Sequence, residues 1–440
     1  MRIFLILILV FSNLVSSKDL FEDYYQEAEE IVKNMSIFEK IGQMFIGRYD
    51  KDIAEDQIKK YHIGGFCLFE INLVNHTEEQ LINELETLQN KSKYLLTYSV
   101  DEEGGTVCRV SLYFRNERFP SPRDSYIKGG IDEILSIEQE KRELLKKLDF
   151  SVNFAPVADV SVNSSDYIYF RTLGENASTT SDYINSVVDD YVEDNFTCCL
   201  KHFPGYGNNR NTHDDVAHDY RTLDYLEKND LIPFVQAVKH NVPMIMFSHN
   251  IVHSIDGDYP ASISKKVHDL LRNTYGYTGI IITDSLSMGA IAKYATNVSA
   301  GVLAVEAGND IILTSTFEEH INQVIKAYEE HKIDETLIDK AAKRVIAWKL
   351  KYLYKREIKP TDKPTDDYNE DSDESLYIIL GVVLGLITIL IIFLLFLYFS
   401  KQKKNENKDT PLEFDEGEVP NEKLVRDSTQ SVKEEQNANE

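Results

Sequence analysis

Cysteine is scarce in this chain: Cys67, Cys108, Cys198 and Cys199 are the four among 440 residues. So few, without regular spacing, exclude a scaffold built on disulfides. Three of them lie in or beside apolar, strand-like runs, where buried free thiols are expected, and a vicinal Cys198–Cys199 bond would be strained. Positive charge is also short, with 47 Lys and Arg against 73 Asp and Glu and a formal net charge of −26. That balance excludes the electrostatic footprint of a nucleic-acid binder and fits a soluble, self-repelling surface. No metal-ligand spacing, dinucleotide-binding glycine turn or P-loop occurs, so no cofactor is expected.

Long apolar runs are confined to the two ends. Residues 1–17 read as a secretory signal, with Arg2 as the basic start, Ile3 to Phe11 as a short apolar stretch, and Ser16 and Ser17 at the cleavage region. Leu376 to Phe399 carries no charge and is long enough as a helix for one membrane crossing, with Lys401, Lys403 and Lys404 as a cytoplasmic flank. Ahead of this span, residues 356–375 are rich in Pro, Thr, Asp and Glu and read as an acidic stalk. Residues 400–440 read as a disordered cytoplasmic tail. The expected topology is a single-pass type I membrane protein with residues 18–355 outside the cell or in a lumen. Seven glycosylation sequons, at Asn34, Asn75, Asn90, Asn163, Asn176, Asn195 and Asn297, all precede the span, and none follows it.

Between residues 36 and 355, β-branched and aromatic runs alternate with amphipathic ones. The expected strands are Ile41–Gly47, Gly64–Phe69, Tyr94–Val100, Ser151–Val160, Phe196–Phe203, Val242–Ser248, Gly279–Thr283 and Asp310–Leu313. Helix-period segments fall between them, among them Glu78–Leu88, Ile134–Leu148, Leu223–Lys239, Ser264–Thr274 and Phe317–His331. Eight such alternations predict an α/β fold, a (β/α)₈ TIM-type barrel forming a single catalytic domain, with a doubly wound open sheet as the alternative.

A barrel keeps its chemistry where the strands end. Polar residues interrupt the apolar runs at those places: Asp101 after TYSV, Asp159 after NFAPVA, Lys201 and His202 in TCCLKHF, Ser248 and His249 after MIMF, and Asp284 after GIIIT. Any one of these carboxylates could cap a helix. Five breaks on successive strands favour a shared pocket.

The loop KHFPGYG, residues 201–207, resembles the signature of family 3 glycoside hydrolases of the bacterial β-N-acetylglucosaminidase type, whose usual form is KHFPGHG followed by Asp-Ser-His. NMSIFEKIGQM, IGGFCLF, DEEGGTVCR, NFAPVADV, YFRTLGEN, MIMFSHN, TDSLSMGA and VEAGNDIIL resemble the family's other blocks in order, over roughly residues 25–355. The resemblance implies retaining hydrolysis of terminal β-linked N-acetylhexosamine, the glycan substrate, through a covalent glycosyl-enzyme. It implies Asp284 as nucleophile, and Asp101, Arg109, Arg171, Lys201 and His202 as residues that hold sugar hydroxyls.

The acid/base loop departs from the family. One residue is missing, and one register aligns Asn211-Thr212-His213 with Asp-Ser-His, keeping Asp219 and Arg221 in phase; an ungapped register places Asp214 at the His position instead. The first is preferred, making His213 the general acid/base and Asn211 its uncharged orienting partner. Thr106 stands where the family usually has Arg, and Tyr206 where it has His. Other readings remain open: a membrane-tethered carbohydrate-binding protein whose acid/base loop has decayed, or a glycoside phosphorylase. The family's β-glucosidases take a carboxylic acid/base from a second domain, for which this sequence has no room between barrel and stalk.

Overall fold

The computed structural model describes residues 19–209, 217–288, 291, 294 and 298–353. The signal, stalk, span and tail expected from the sequence, and Asn211, His213 and Asn297, lie outside these residues. Among the described residues, no helix is long and apolar enough to cross a membrane.

Eight parallel strands form one sheet: β1 Phe45–Arg48, β2 Gly65–Cys67, β3 Thr97–Val100, β4 Val152–Asn153, β5 Thr197–Phe203, β6 Met244–Phe247, β7 Ile280–Thr283 and β8 Ile312–Thr314. Their order is β8-β1-β2-β3-β4-β5-β6-β7. The two ends meet through a single parallel bridge, Ile282 to Ile311, so the sheet curls into a near-closed barrel. The open-sheet alternative is thereby set aside.

Strand residues alternate between two packing environments, the period-2 consequence of a pleated backbone. Phe45, Phe66, Cys198, Leu200, Ile245, Ile281 and Ile312 pack outward beneath the helices. Ile46, Cys67, Cys199, Met244, Met246, Ile280, Ile282 and Leu313 fill the inside. Cys198 and Cys199 therefore sit on opposite faces, and all four cysteines are buried and free. The helices Tyr25–Lys33 and Glu335–Tyr352 contribute Phe21's neighbours Ala28 and Val32, and Val345 and Trp348, to the inner cluster. Trp348 Nε1 donates to Thr197 Oγ1 at 3.1 Å, at the start of β5. The N-terminal ends of the strands are thus stoppered, leaving the C-terminal ends for chemistry.

Several element boundaries differ from expectation. Ile41–Gln43 belong to a helix, Ile37–Gln43, because Ser36 and Glu39 form a reciprocal capping box that starts it there. The fourth strand is a ladder of only two residues, with an isolated bridge from Val157 to Lys201 beyond Pro156. The run Leu223–Lys239 splits into Leu223–Lys228 and Leu231–Lys239 at Asn229, whose backbone is not helical. The segment Ser264–Thr274 becomes a short α-helix, Lys265–Asp269, continued by a π turn over Leu270–Thr274.

Candidate active site

On three strands the inward-facing row continues two residues further into the barrel mouth, and there it becomes polar. Cys199 is followed by Lys201, Ser99 by Asp101 and Glu103, Ile282 by Asp284. Those positions, with Arg109, Arg171, His202, Thr106, Tyr206, Met246 and Leu313, line one cavity of about 540 Å³. All six described residues expected from the sequence to bind sugar or react are therefore brought together.

The floor of the cavity is an ion-pair network. Lys201 Nζ lies 2.6 Å from Asp101 Oδ1 and 2.6 Å from Glu103 Oε1. Arg171 forks onto the same Glu103, Nε to Oε2 at 2.9 Å and a terminal nitrogen to Oε1 at 2.7 Å. Burial raises the Glu103 carboxyl, but Arg171 and Lys201 overcome it and hold the group well below the usual carboxylate range. Burial lowers the Lys201 amine, and Asp101 and Glu103 more than restore it, so it stays an ammonium. A lysine this deep, 2% exposed, keeps its charge only because two carboxylates face it.

His202 is fixed from two sides. Its Nδ1 lies 2.7 Å from Asp159 Oδ2, and Arg171 comes within 3.3 Å of its Nε2. A guanidinium nitrogen can only donate, so Nε2 is the acceptor and Nδ1–H faces Asp159. Asp159 also receives the backbone N–H of His202 at 3.1 Å and of Tyr206 at 2.6 Å, tying the 201–207 loop to the end of the fourth strand. The Lys201–His202 and Phe203–Pro204 peptides are cis.

Asp284 is partly exposed to the cavity, and its Oδ1 accepts the Ser285 N–H at 2.7 Å. That contact engages one oxygen, as a helix cap would, yet the side chain still lines the cavity. Burial raises its carboxyl, and His249, His202, the Ser285 amide and Lys201 outweigh that effect, leaving it below the ordinary carboxylate range. His249 is anchored by Ser262 Oγ at 2.7 Å and the Ser285 carbonyl at 2.9 Å.

Arg109 reaches the cavity from a loop that returns across the mouth. The carboxylate of buried Glu102 gathers that loop, accepting the N–H groups of Arg109 and Val110 at 2.7 Å each and the Ser111 hydroxyl. Arg109 also pairs with Glu70 at 2.7 Å. Glu103, Glu102 and Asp159 are the participants that sequence reasoning left without roles. Glu103 was legible in principle, since it falls on the same inward row as Asp101.

Among the described residues no cluster of metal-binding side chains occurs. Arg221 pairs with Asp219 at 2.6 Å and Asp230 at 2.8 Å, while Asn209 Nδ2 bridges Tyr206 O and Asp219. A carboxylate at the barrel mouth beside an array of fixed donors and acceptors is an arrangement whose chemistry suits a polyol ligand.

Residues 36–348 match the glycosyl hydrolase family 3 N-terminal domain, and the chain belongs to that family. It is 28% identical over 326 residues to β-hexosaminidase A of Pseudoalteromonas piscicida, covering 67% of this chain and 54% of that protein. It is 27% identical over 322 residues to β-hexosaminidase LpqI of Mycobacterium tuberculosis, covering 71% and 82%. A family 3 β-N-acetylglucosaminidase structure from a Paenibacillus species superposes with a TM-score of 0.69 at 26% identity, over 77% of this chain and 66% of that one. The chain thus spans about half the length of the first relative and most of the second.

Proposed function

We propose that this protein is a retaining β-N-acetylhexosaminidase that releases terminal β-linked N-acetylglucosamine from a glycan. The reading rests on one observation above others: an Asp284 carboxylate kept ionised at the mouth of a cavity whose floor is the Asp101–Lys201–Glu103–Arg171 network. The names carried by the relatives point to the same sugar.

In the proposed reaction, Asp101, Arg171, Lys201 and His202 hold the hydroxyls of the terminal ring, with Arg109 at the rim. Asp284 attacks C1 while His213 gives its proton to the departing glycosidic oxygen, leaving a glycosyl ester on Asp284. The neutral His213 then takes a proton from water, whose oxygen attacks C1 and releases Asp284 as carboxylate. Asn211 orients the imidazole without supplying charge. Glu103 keeps Lys201 and Arg171 aimed, so the sugar meets a preformed array.

We also propose that the barrel faces a secretory lumen or the outside of the cell, tethered by the 376–399 span. The side chains of Asn34, Asn75, Asn90, Asn163, Asn176 and Asn195 are all exposed, which supports their modification there. Treatment with an N-glycan amidase should increase electrophoretic mobility, and an unchanged mobility would remove that support.

The direct test of activity is incubation with a chromogenic N-acetyl-β-glucosaminide. Release of N-acetylglucosamine with retained β configuration supports the proposal. Saturable binding without release would favour the carbohydrate-binding alternative, and a rate that depends on phosphate would favour phosphorolysis.

A further inference from the structure

The cavity has two chemically distinct parts, and the proposed reaction gives the second no role. Its floor is charged and sealed, with Lys201 and His202 both under 5% exposed. Its lip is aromatic and open. Phe170 and Tyr167 line the same cavity but are 62% and 44% exposed. Phe170 directly precedes Arg171, so the backbone that sends the guanidinium down to Glu103 sends the neighbouring phenyl ring up to the mouth. Tyr167 leans on Tyr206, ring centroids 5.8 Å apart, and Tyr169 meets Phe170 edge-on at 5.3 Å. The ring is thereby backed from one side and open on the other. A phenyl group left this exposed beside a site of this polarity costs free energy unless something covers it when the site is filled.

We infer that Phe170, with Tyr167 beside it, forms a stacking subsite for the sugar on the leaving-group side of the scissile bond. The inference rests on the hydrolase reading above. Three features select a neutral pyranose as occupant. The cavity of about 540 Å³ exceeds a single N-acetylhexosamine, whose fifteen non-hydrogen atoms fill about half of it at interior packing density. A β-linked pyranose with equatorial substituents presents flat C–H faces, which pack on an aromatic ring as other apolar surfaces do. Thr106, Tyr167 and Phe170 bring no charge to the lip, and the guanidinium of Arg109 at the rim is already paired with Glu70 at 2.7 Å. The protein would accordingly favour an oligosaccharide of uncharged sugars over a glycoside with a small aglycone.

The experiment compares kcat/KM for the β-1,4-linked N-acetylglucosamine trimer with that for methyl N-acetyl-β-glucosaminide, in the full chain and in Phe170→Ala and Phe170→Tyr. The ratio of trimer to methyl glycoside should fall about three- to ten-fold in Phe170→Ala, the worth of one aromatic contact, and recover in Phe170→Tyr. An unchanged ratio in Phe170→Ala would overturn the inference. Should the wild-type protein cleave neither compound, the hydrolase reading fails, and the subsite is judged by magnetisation transfer from aromatic protons to the trimer. Transfer to a ring other than the non-reducing one, present in the wild type and lost in Phe170→Ala, upholds it; transfer that is absent or identical in both refutes it.

Discussion

Lys201 and Asp101 meet at 2.6 Å, Nζ to Oδ1, joining the ends of β5 and β3 at the floor of the cavity. Glu103 shares the same amine at 2.6 Å, so this lysine is both a donor to the site and a counter-ion for two carboxylates. Replacing it with Met leaves Glu103 buried with Arg171 alone. Lys201→Met should lower kcat/KM by about 100-fold or more and the unfolding free energy by about 2–3 kcal/mol. Thermal unfolding beside the kinetics checks both effects. Near-wild-type activity would remove Lys201 from sugar binding.

Asp284→Ala should reduce turnover by at least about 1000-fold, because the first bond to C1 can no longer form. Azide occupying the vacated space can attack the same face of the sugar, restoring part of the rate and giving the α-glycosyl azide. A β-glycosyl azide would instead mark an acid/base residue, and the reading of Asp284 would be wrong.

The pH profile carries a sign. In the proposed reaction His213 must be protonated to assist departure, and Asp284 must be ionised to attack. Because the cavity holds the Asp284 carboxyl below its ordinary value, its limb of kcat/KM lies to the acid side of the usual carboxylate range. The alkaline limb belongs to His213, falling as its imidazole loses the proton it must give. Restoring a charge with Asn211→Asp stabilises the imidazolium and should move that limb upward. A limb that ignores both Asn211→Asp and His213→Ala would exclude this residue pair from the mechanism.

At the opposite end of the barrel, buried Lys349 donates to Gln43 Oε1 at 2.8 Å and to the carbonyls of Gly64 and Leu95 at 2.7 Å each. Three acceptors match the three N–H groups of an ammonium. Lys349→Met strands all of them and should cost about 2–4 kcal/mol at neutral pH. Burial pushes this amine down to about 7, below its value of about 10.4 in an unfolded chain. The folded protein therefore releases the proton first, and this residue's contribution to stability increases as pH rises from 7 towards 10. Denaturant titrations of both proteins across that window should show their difference widening with pH, and a constant difference would contradict the assignment.

Much of this architecture was legible because two simple rules act on it. Short β-branched and aromatic runs located the eight strands, and the polar residues that interrupt those runs located Asp101, Lys201 and Asp284. What was not legible depends on chain segments meeting from far apart. Nothing in the sequence says that Glu102 turns inward to gather the Arg109–Ser111 loop, or that Asp159 rather than a helix N-terminus receives the His202 ring. The roles of Arg109 and Arg171 came from family resemblance, and their ion pairs with Glu70 and Glu103 came from the fold. Ile41–Gln43 was misread as the start of a strand because the capping box at Ser36 carries the helix into a β-like run of apolar residues.

The central claim is a covalent bond between Asp284 and a sugar. A slow-reacting fluorinated N-acetylglucosaminide should inactivate the enzyme with a stoichiometric mass increase, and the label should map to the tryptic peptide 273–293, which contains Asp284. A label on any other carboxylate, or hydrolysis that proceeds with no trapped ester at all, would contradict the mechanism.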